Sequence, residues 1–222
     1  MNKGERKVKM KTLAIALMLS GVASHVTAAP ATNSDAAVKA RVDMAKQTTR
    51  EFLQQLGGIL KKEMKANGPA AAMSVCRNEA PRIANEISLS KGWTVTRVGT
   101  RVRNPMLGVP DSWEQGVLKE FEARAAKGES LKDMAYYEVV DEPAGKSLRF
   151  MKAIGVKSQC LVCHGDKQNV AAPVQAQLNN LYPHDRATGY QKGDLRGAVS
   201  IKQPLVSVAD RVEKEDKPEL GW

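Results

Sequence analysis

The sequence predicts an α+β fold, an antiparallel sheet with flanking helices and one long helix at the N-terminal end. Three observations carry that prediction. Apolar residues at Val38, Val42, Ala45, Phe52, Leu56 and Ile59, with Thr49 keeping the register, recur in steps of four and three, the period of one helical face. Four short runs further along alternate apolar and polar residues, as half-buried strands do. Two of those runs flank a turn of hairpin length, Asp141-Glu142-Pro143-Ala144-Gly145, and turns that short join antiparallel neighbours.

Taken in order, the chain opens with Lys3, Arg6, Lys7, Lys9 and Lys11, an apolar run from Leu13 to Ala23, and small residues around Ala28-Ala29. This is the pattern of a secretory signal peptide over residues 1–28, leaving one domain over residues 29–222 and a periplasmic destination. The apolar run is too short to span a bilayer, which takes about 20 residues, so the protein is expected not to cross a membrane. The long helix follows from Asp35 to Lys65, with Ser34 or Asp35 as cap and Asn67-Gly68-Pro69 as its end. Its length leaves room for pairing with a second copy, and Gly57-Gly58 is the place where it would break.

Pro69 to Leu89 forms a second helical pattern with Met73, Cys76, Ala80, Ile83 and Ile87 on one stripe. Pro81 has no N–H and collides with the carbonyl four residues back, so this helix should kink just after Cys76. Trp93, Val95 and Arg97 against Thr94, Thr96 and Val98 make a short strand, and Arg101 to Pro110 a loop. Asp111 or Ser112 caps a helix to about Lys127. Met134–Val140 and Ser147–Ile154 are the hairpin strands. A short helix near Val174–Leu181, a loop through Tyr182-Pro183-His184-Asp185, and a strand carrying Leu195, Gly197, Val199 and Ile201 come next. Pro204 stops that strand, and a short charged helix closes the chain.

The chemistry centres on Cys160-Leu161-Val162-Cys163-His164, the Cys-x-x-Cys-His run by which c-type haem is attached. Side chains three and four apart share a helical face, so both thiols can reach the porphyrin vinyl groups while the imidazole binds iron. A structural zinc site needs four Cys or His ligands, and outside the leader only three cysteines and two histidines are present. A thioredoxin-type pair would not call for a histidine directly after its second cysteine.

Three residues compete to sit opposite His164 on the iron. Cys76 is the spare thiol, on an apolar stripe that also suits a plain core residue; His184 lies on a polar loop, and Met73 is one turn from Cys76. Arg101, Arg103 and Arg149 are candidates to pair with the haem propionates, because guanidinium matches carboxylate geometry.

The net charge of +10 falls to +6 once the leader takes five basic residues and one acidic residue with it. A mildly basic surface suits docking to an acidic redox or signalling partner. No basic block interleaved with aromatics speaks for nucleic acid.

Ser74-Val75-Cys76-Arg77-Asn78-Glu79-Ala80-Pro81, Arg103-Asn104-Pro105 with Pro110-Asp111-Ser112-Trp113-Glu114, Cys160 to Gly165, and Tyr182 to Ala198 with its Ala187-Thr188-Gly189-Tyr190 and Gly193-Asp194-Leu195-Arg196-Gly197 stretches together resemble a known family. It is the c-type haem family of PAS-like periplasmic domains of unknown function. Leu107 departs from its pattern, which often has Asn there. The resemblance implies a PAS-like sheet, a single covalent haem c, and iron held between His164 and the thiolate of Cys76. The function expected is a redox-responsive or small-ligand-responsive sensor, a gas such as CO or NO being one possible ligand. A soluble electron carrier is the alternative. An enzyme such as a peroxidase ranks below both, since it needs a distal acid-base group and the sole further histidine of the domain is His184.

Overall fold

The apolar stripe of the first helix finds its partner inside the same domain. The computed structural model describes residues 35–205; the expected leader and the charged helix beyond Pro204 lie outside them. Helix α1 (Asp35–Ser74) contains one non-helical residue, Gly68 (φ 81°, ψ 174°), so it is a long helix to residue 67, a hinge, and one further turn started by Pro69. Gly57 and Gly58 do not interrupt it. Val42, Ala45, Phe52 and Leu56 are buried, as the spacing predicts, against Val95, Leu148, Phe150, Val199 and Ile201 of the sheet.

A π-turn (Val75–Glu79) links α1 to α2 (Ala80–Lys91), which adds Ile83 and Ile87 to the same core and ends on left-handed Gly92 (φ 65°). Burial of each such side chain contributes about 1.5–3 kcal/mol.

The sheet has four strands, β1 (Thr94–Val98), β2 (Ala135–Glu142), β3 (Gly145–Gly155) and β4 (Leu195–Pro204), in the spatial order β1-β4-β3-β2, every pair antiparallel. The last strand therefore enters the middle, and β1 has β4 as its one neighbour. Helix α3 (Ser112–Ala126) covers the opposite face, where Val117, Leu118 and Phe121 meet Val98, Met151, Ala153 and Ala198. Its start is a capping box: Asp111 accepts from the Glu114 N–H, and the Glu114 carboxylate accepts from the Asp111 N–H, both at 2.8 Å.

Between β3 and β4 run a single helical turn α4 (Leu161–His164) and α5 (Ala172–Leu181). The fold is thus the expected α+β arrangement with a long first helix. Among the described residues no helix is long and apolar enough to cross a membrane.

Candidate functional site

The cysteine-histidine run folds as its spacing requires. A 3-10 turn (Ser158–Cys160) leads into α4, with the Cys160 N–H on the Lys157 carbonyl at 2.8 Å and the Gly165 N–H on Leu161 at 2.9 Å. Gly165 closes so tightly that a Cβ there would stand 2.6 Å from the Leu161 oxygen. The turn is wedged between two small apolar clusters. Cys160 and Leu161 pack on Val156, Ala187 and Tyr190; Cys163 packs on Met73, Val174, Leu178 and Tyr182. Cys76, Cys160 and Cys163 are all half-buried and free of disulfides.

His164 is held by its inner ring nitrogen. Nδ1 lies 2.7 Å from the Ala187 carbonyl, which can only accept, so Nδ1 carries the proton and Nε2 keeps its lone pair. Burial, followed by the nearby Arg103 and Arg196 charges, lowers the imidazole pKa to about 3. The ring is therefore neutral at physiological pH, the form in which imidazole binds a metal. Its backbone is fixed as well, by Tyr190 N–H on the His164 carbonyl (3.0 Å) and Gly189 N–H on Gly165 (2.8 Å).

Cys76 sits inside the π-turn. The Ala80 N–H bonds to Val75, five residues back, and Pro81 has no N–H to offer Arg77. The predicted irregularity beside Cys76 is thus a widened turn. The thiol is close enough to Cys163, Arg97 and Tyr182 to act on their ionisation. Met73 is 3 % exposed and belongs to the α5 cluster, and His184 is exposed on its loop.

The arginines divide. Arg101 lies beside the site: it donates to the Thr188 (2.9 Å) and Gly189 (3.2 Å) carbonyls, stacks 3.5 Å from the Tyr190 ring centre, and faces Asp194 at 3.8 Å. Arg103 is buried behind the haem turn, paired with Asp185 at 3.0 Å and bonded to the carbonyls of Cys163 and Ala187. It clamps the turn that holds His164, and its donors already have acceptors. Arg149 stands elsewhere, on the α3 face of the sheet. On β3 it alternates with Leu148 and Phe150 and points with Met151 to the α3 face. There it pairs with Asp111 (2.6 Å), Glu114 (3.4 Å) and Glu142 (3.6 Å) and lies 4.4 Å from the Trp113 ring. It also lines a cavity of about 210 Å³ on that face with Thr94, Val98 and Ser200.

Two residues of the site were not foreseen from the sequence, Arg97 and Arg196. Both are partly buried, and burial lowers the pKa of each. The signal for Arg97 lay in the strand pattern, which puts a cation on the apolar face with Trp93 and Val95.

The donor set fits a haem. Two free thiols and a neutral, oriented imidazole share one helical turn, a third thiol stands nearby on another element, and cationic side chains surround them. Among the described residues no three His, Cys, Asp or Glu side chains gather to hold a bare metal ion, whereas iron within a porphyrin needs only axial donors from the protein.

Comparison with known proteins agrees in outline. A structure titled as the crystal structure of the cyanobacterial heme-protein Tll0287 superposes with a TM-score of 0.56 at 24% identity, over 78% of this chain and 98% of that one, which establishes the shared fold. No curated protein matches the chain at a significant level. The family model described as Tll0287-like matches residues 10–204, well over half of the sequence, and the chain belongs to that family.

Proposed function

We propose that the chain is an exported single-haem c-type protein, with the porphyrin attached through Cys160 and Cys163 and the iron bound by His164 and Cys76, and that it responds to redox state or to a small ligand. One observation carries this reading: the Ala187 carbonyl orients His164 so that Nε2 is free on the same helical turn as two free thiols. The leader pattern of residues 1–28 supports export, since thioether attachment in bacteria takes place outside the cytoplasmic membrane. Haem binding by the structural relative supports the cofactor.

When bound, haem would supply one-electron exchange at an iron for which His164 and Cys76 are the proposed protein donors. His164 supplies a neutral nitrogen held rigidly by Ala187 and Arg103. Cys76 would supply a sulfur donor, which ferric iron would hold more firmly than ferrous, so its hold would depend on oxidation state. Because it sits on a π-turn between two helices, that dependence is coupled to backbone with a spare residue in it. This coupling favours a sensor over a rigid carrier, with a second protein as recipient of the signal.

The test uses purified mature protein. Porphyrin should stay with the polypeptide through denaturation and acid extraction, and Cys160→Ser with Cys163→Ser should release it. The ferric spectrum should change in Cys76→Ser, and the reduced wild type should take up CO rapidly. An unchanged ferric spectrum in Cys76→Ser removes that residue from the iron; reduced protein inert to CO favours the electron carrier.

A further inference from the structure

Beside α4 the protein gathers more positive charge than its own side chains neutralise. Arg97, Arg103 and Arg196 all act on His164. One carboxylate, Asp185, stands among them, and Arg103 takes it at 3.0 Å. Among the described residues Arg196 donates only to the Arg101 carbonyl, at 3.2 Å, and lies 5.5 Å from the Tyr190 ring. That ring in turn stands edge-on to the His164 imidazole, with the two centres 6.2 Å apart. Arg97 has no hydrogen-bond acceptor among the described residues; the Phe52 ring, 5.9 Å away, is its packing partner. Guanidinium does not shed its proton in proteins, and a charge partly withdrawn from water without a counter-ion is unfavourable.

The backbone builds both positions. Arg97 lies on β1 opposite Val199, on the sheet face that carries the α1 and α2 core. Arg196 is an extra residue in β4: Ile154 pairs with Gly197 and Gly155 with Leu195, so Arg196 has no partner on β3. Such a bulge re-aims a side chain. Gly197 makes it possible, with φ 148° and a position where a Cβ would stand 2.1 Å from the Val98 oxygen. Tyr190 adds a buried hydroxyl without a hydrogen-bond partner at the same end of the sheet.

We propose that Arg97 and Arg196 seat the two propionates of the haem, replacing Arg101, Arg103 and Arg149 in that role. The inference rests on the haem reading above. Charge closes on this assignment. The ferric porphyrin core is singly positive and the Cys76 thiolate cancels it. Arg103 and Asp185 cancel each other, as do Arg101 and Asp194. Two propionates then face two unpaired guanidinium groups.

The test compares ferric haemin with its dimethyl ester, which lacks the carboxylate charges, as ligands of the full mature chain prepared without attached haem. Wild type should prefer haemin by about ten-fold per arginine, the scale of a charge-assisted hydrogen bond. Arg97→Gln and Arg196→Gln should each narrow the preference, and the double variant should bind both ligands alike, at the wild-type affinity for the ester. Lysine at either position should restore part of it, and Arg82→Gln on the surface of α2 should leave it intact. A wild type indifferent to esterification overturns the assignment and leaves the haem reading standing. A preference that survives the double substitution, or affinity for both ligands falling equally, overturns it too. A wild type that binds neither ligand overturns the haem reading, and this inference with it.

Discussion

Replacing Arg103 with Met keeps most of the side-chain length and removes the charge that ties the haem turn to the following loop. In the native protein Nε donates to Asp185 at 3.1 Å, while the same guanidinium reaches the Cys163 carbonyl and, at 3.3 Å, that of Ala187. Both members of the ion pair are 9% exposed. The variant leaves the Asp185 carboxylate enclosed with the Ala187 N–H, at 2.8 Å, as its remaining donor. Breaking such a pair by deleting one partner costs about 3–5 kcal/mol, and each carbonyl bond from a charged donor about 1.5–3 kcal/mol. These losses overlap, so the expected total is about 4 kcal/mol, a fall in Tm of roughly 8–16 °C for a domain of this size. Urea and thermal unfolding of the purified protein measure it. The double variant Arg103→Met, Asp185→Asn should lose less than the sum of the singles by at least about 1 kcal/mol, because Asn leaves no orphaned charge. A loss under about 1 kcal/mol for Arg103→Met, or strict additivity in the double variant, would show that the clamp is ornamental.

Three further substitutions test other parts of the account. Gly197→Ala forces a side chain into a left-handed conformation and against the Val98 oxygen, and should cost at least about 3 kcal/mol by urea midpoint; a near-neutral result would refute the bulge geometry. Phe150→Ala empties a fully buried site between α1 and the sheet, with an expected loss of about 3–5 kcal/mol in the same assay. At Asp111, burial pushes the carboxyl pKa up, but the Glu114 N–H and Arg149 outweigh it and hold it below the usual value. A depressed pKa adds stability that is complete above about pH 4 and lost as pH falls through the folded value. Asp111→Asn should therefore unfold along a flatter acid limb than wild type, and parallel limbs would contradict the pairing.

Much of this architecture was legible in local pattern. The stripe from Val38 to Ile59 specified which face of α1 is buried, and Gly68-Pro69 specified where it ends. Pro81 announced the disturbed turn at Cys76, because a missing N–H acts within its own helix. Asp111 and Glu114 spelled their capping box at a spacing of three. What remained hidden depends on distant partners. For Arg149, alternation tells two faces apart without saying which one looks toward α4. For Arg103, nothing near it in the chain reveals that Asp185 and two carbonyls await it. Arg196 needed the β4 bulge, which exists only through the register with β3. Arg97 alone was within reach, as a cation on an apolar face.

The strand order has a consequence for how the molecule comes into being. Ribosomes deliver Cys160, Cys163 and His164 before any residue of β4, yet β1 cannot join the sheet until β4 arrives to lie between it and β3. The contacts that orient His164 likewise come from Ala187 and Tyr190, which follow it in the chain and precede β4. Chain order thus puts both sulfurs ahead of the strand that completes the sheet, so the frame behind α4 is whole only once that strand lies between β1 and β3.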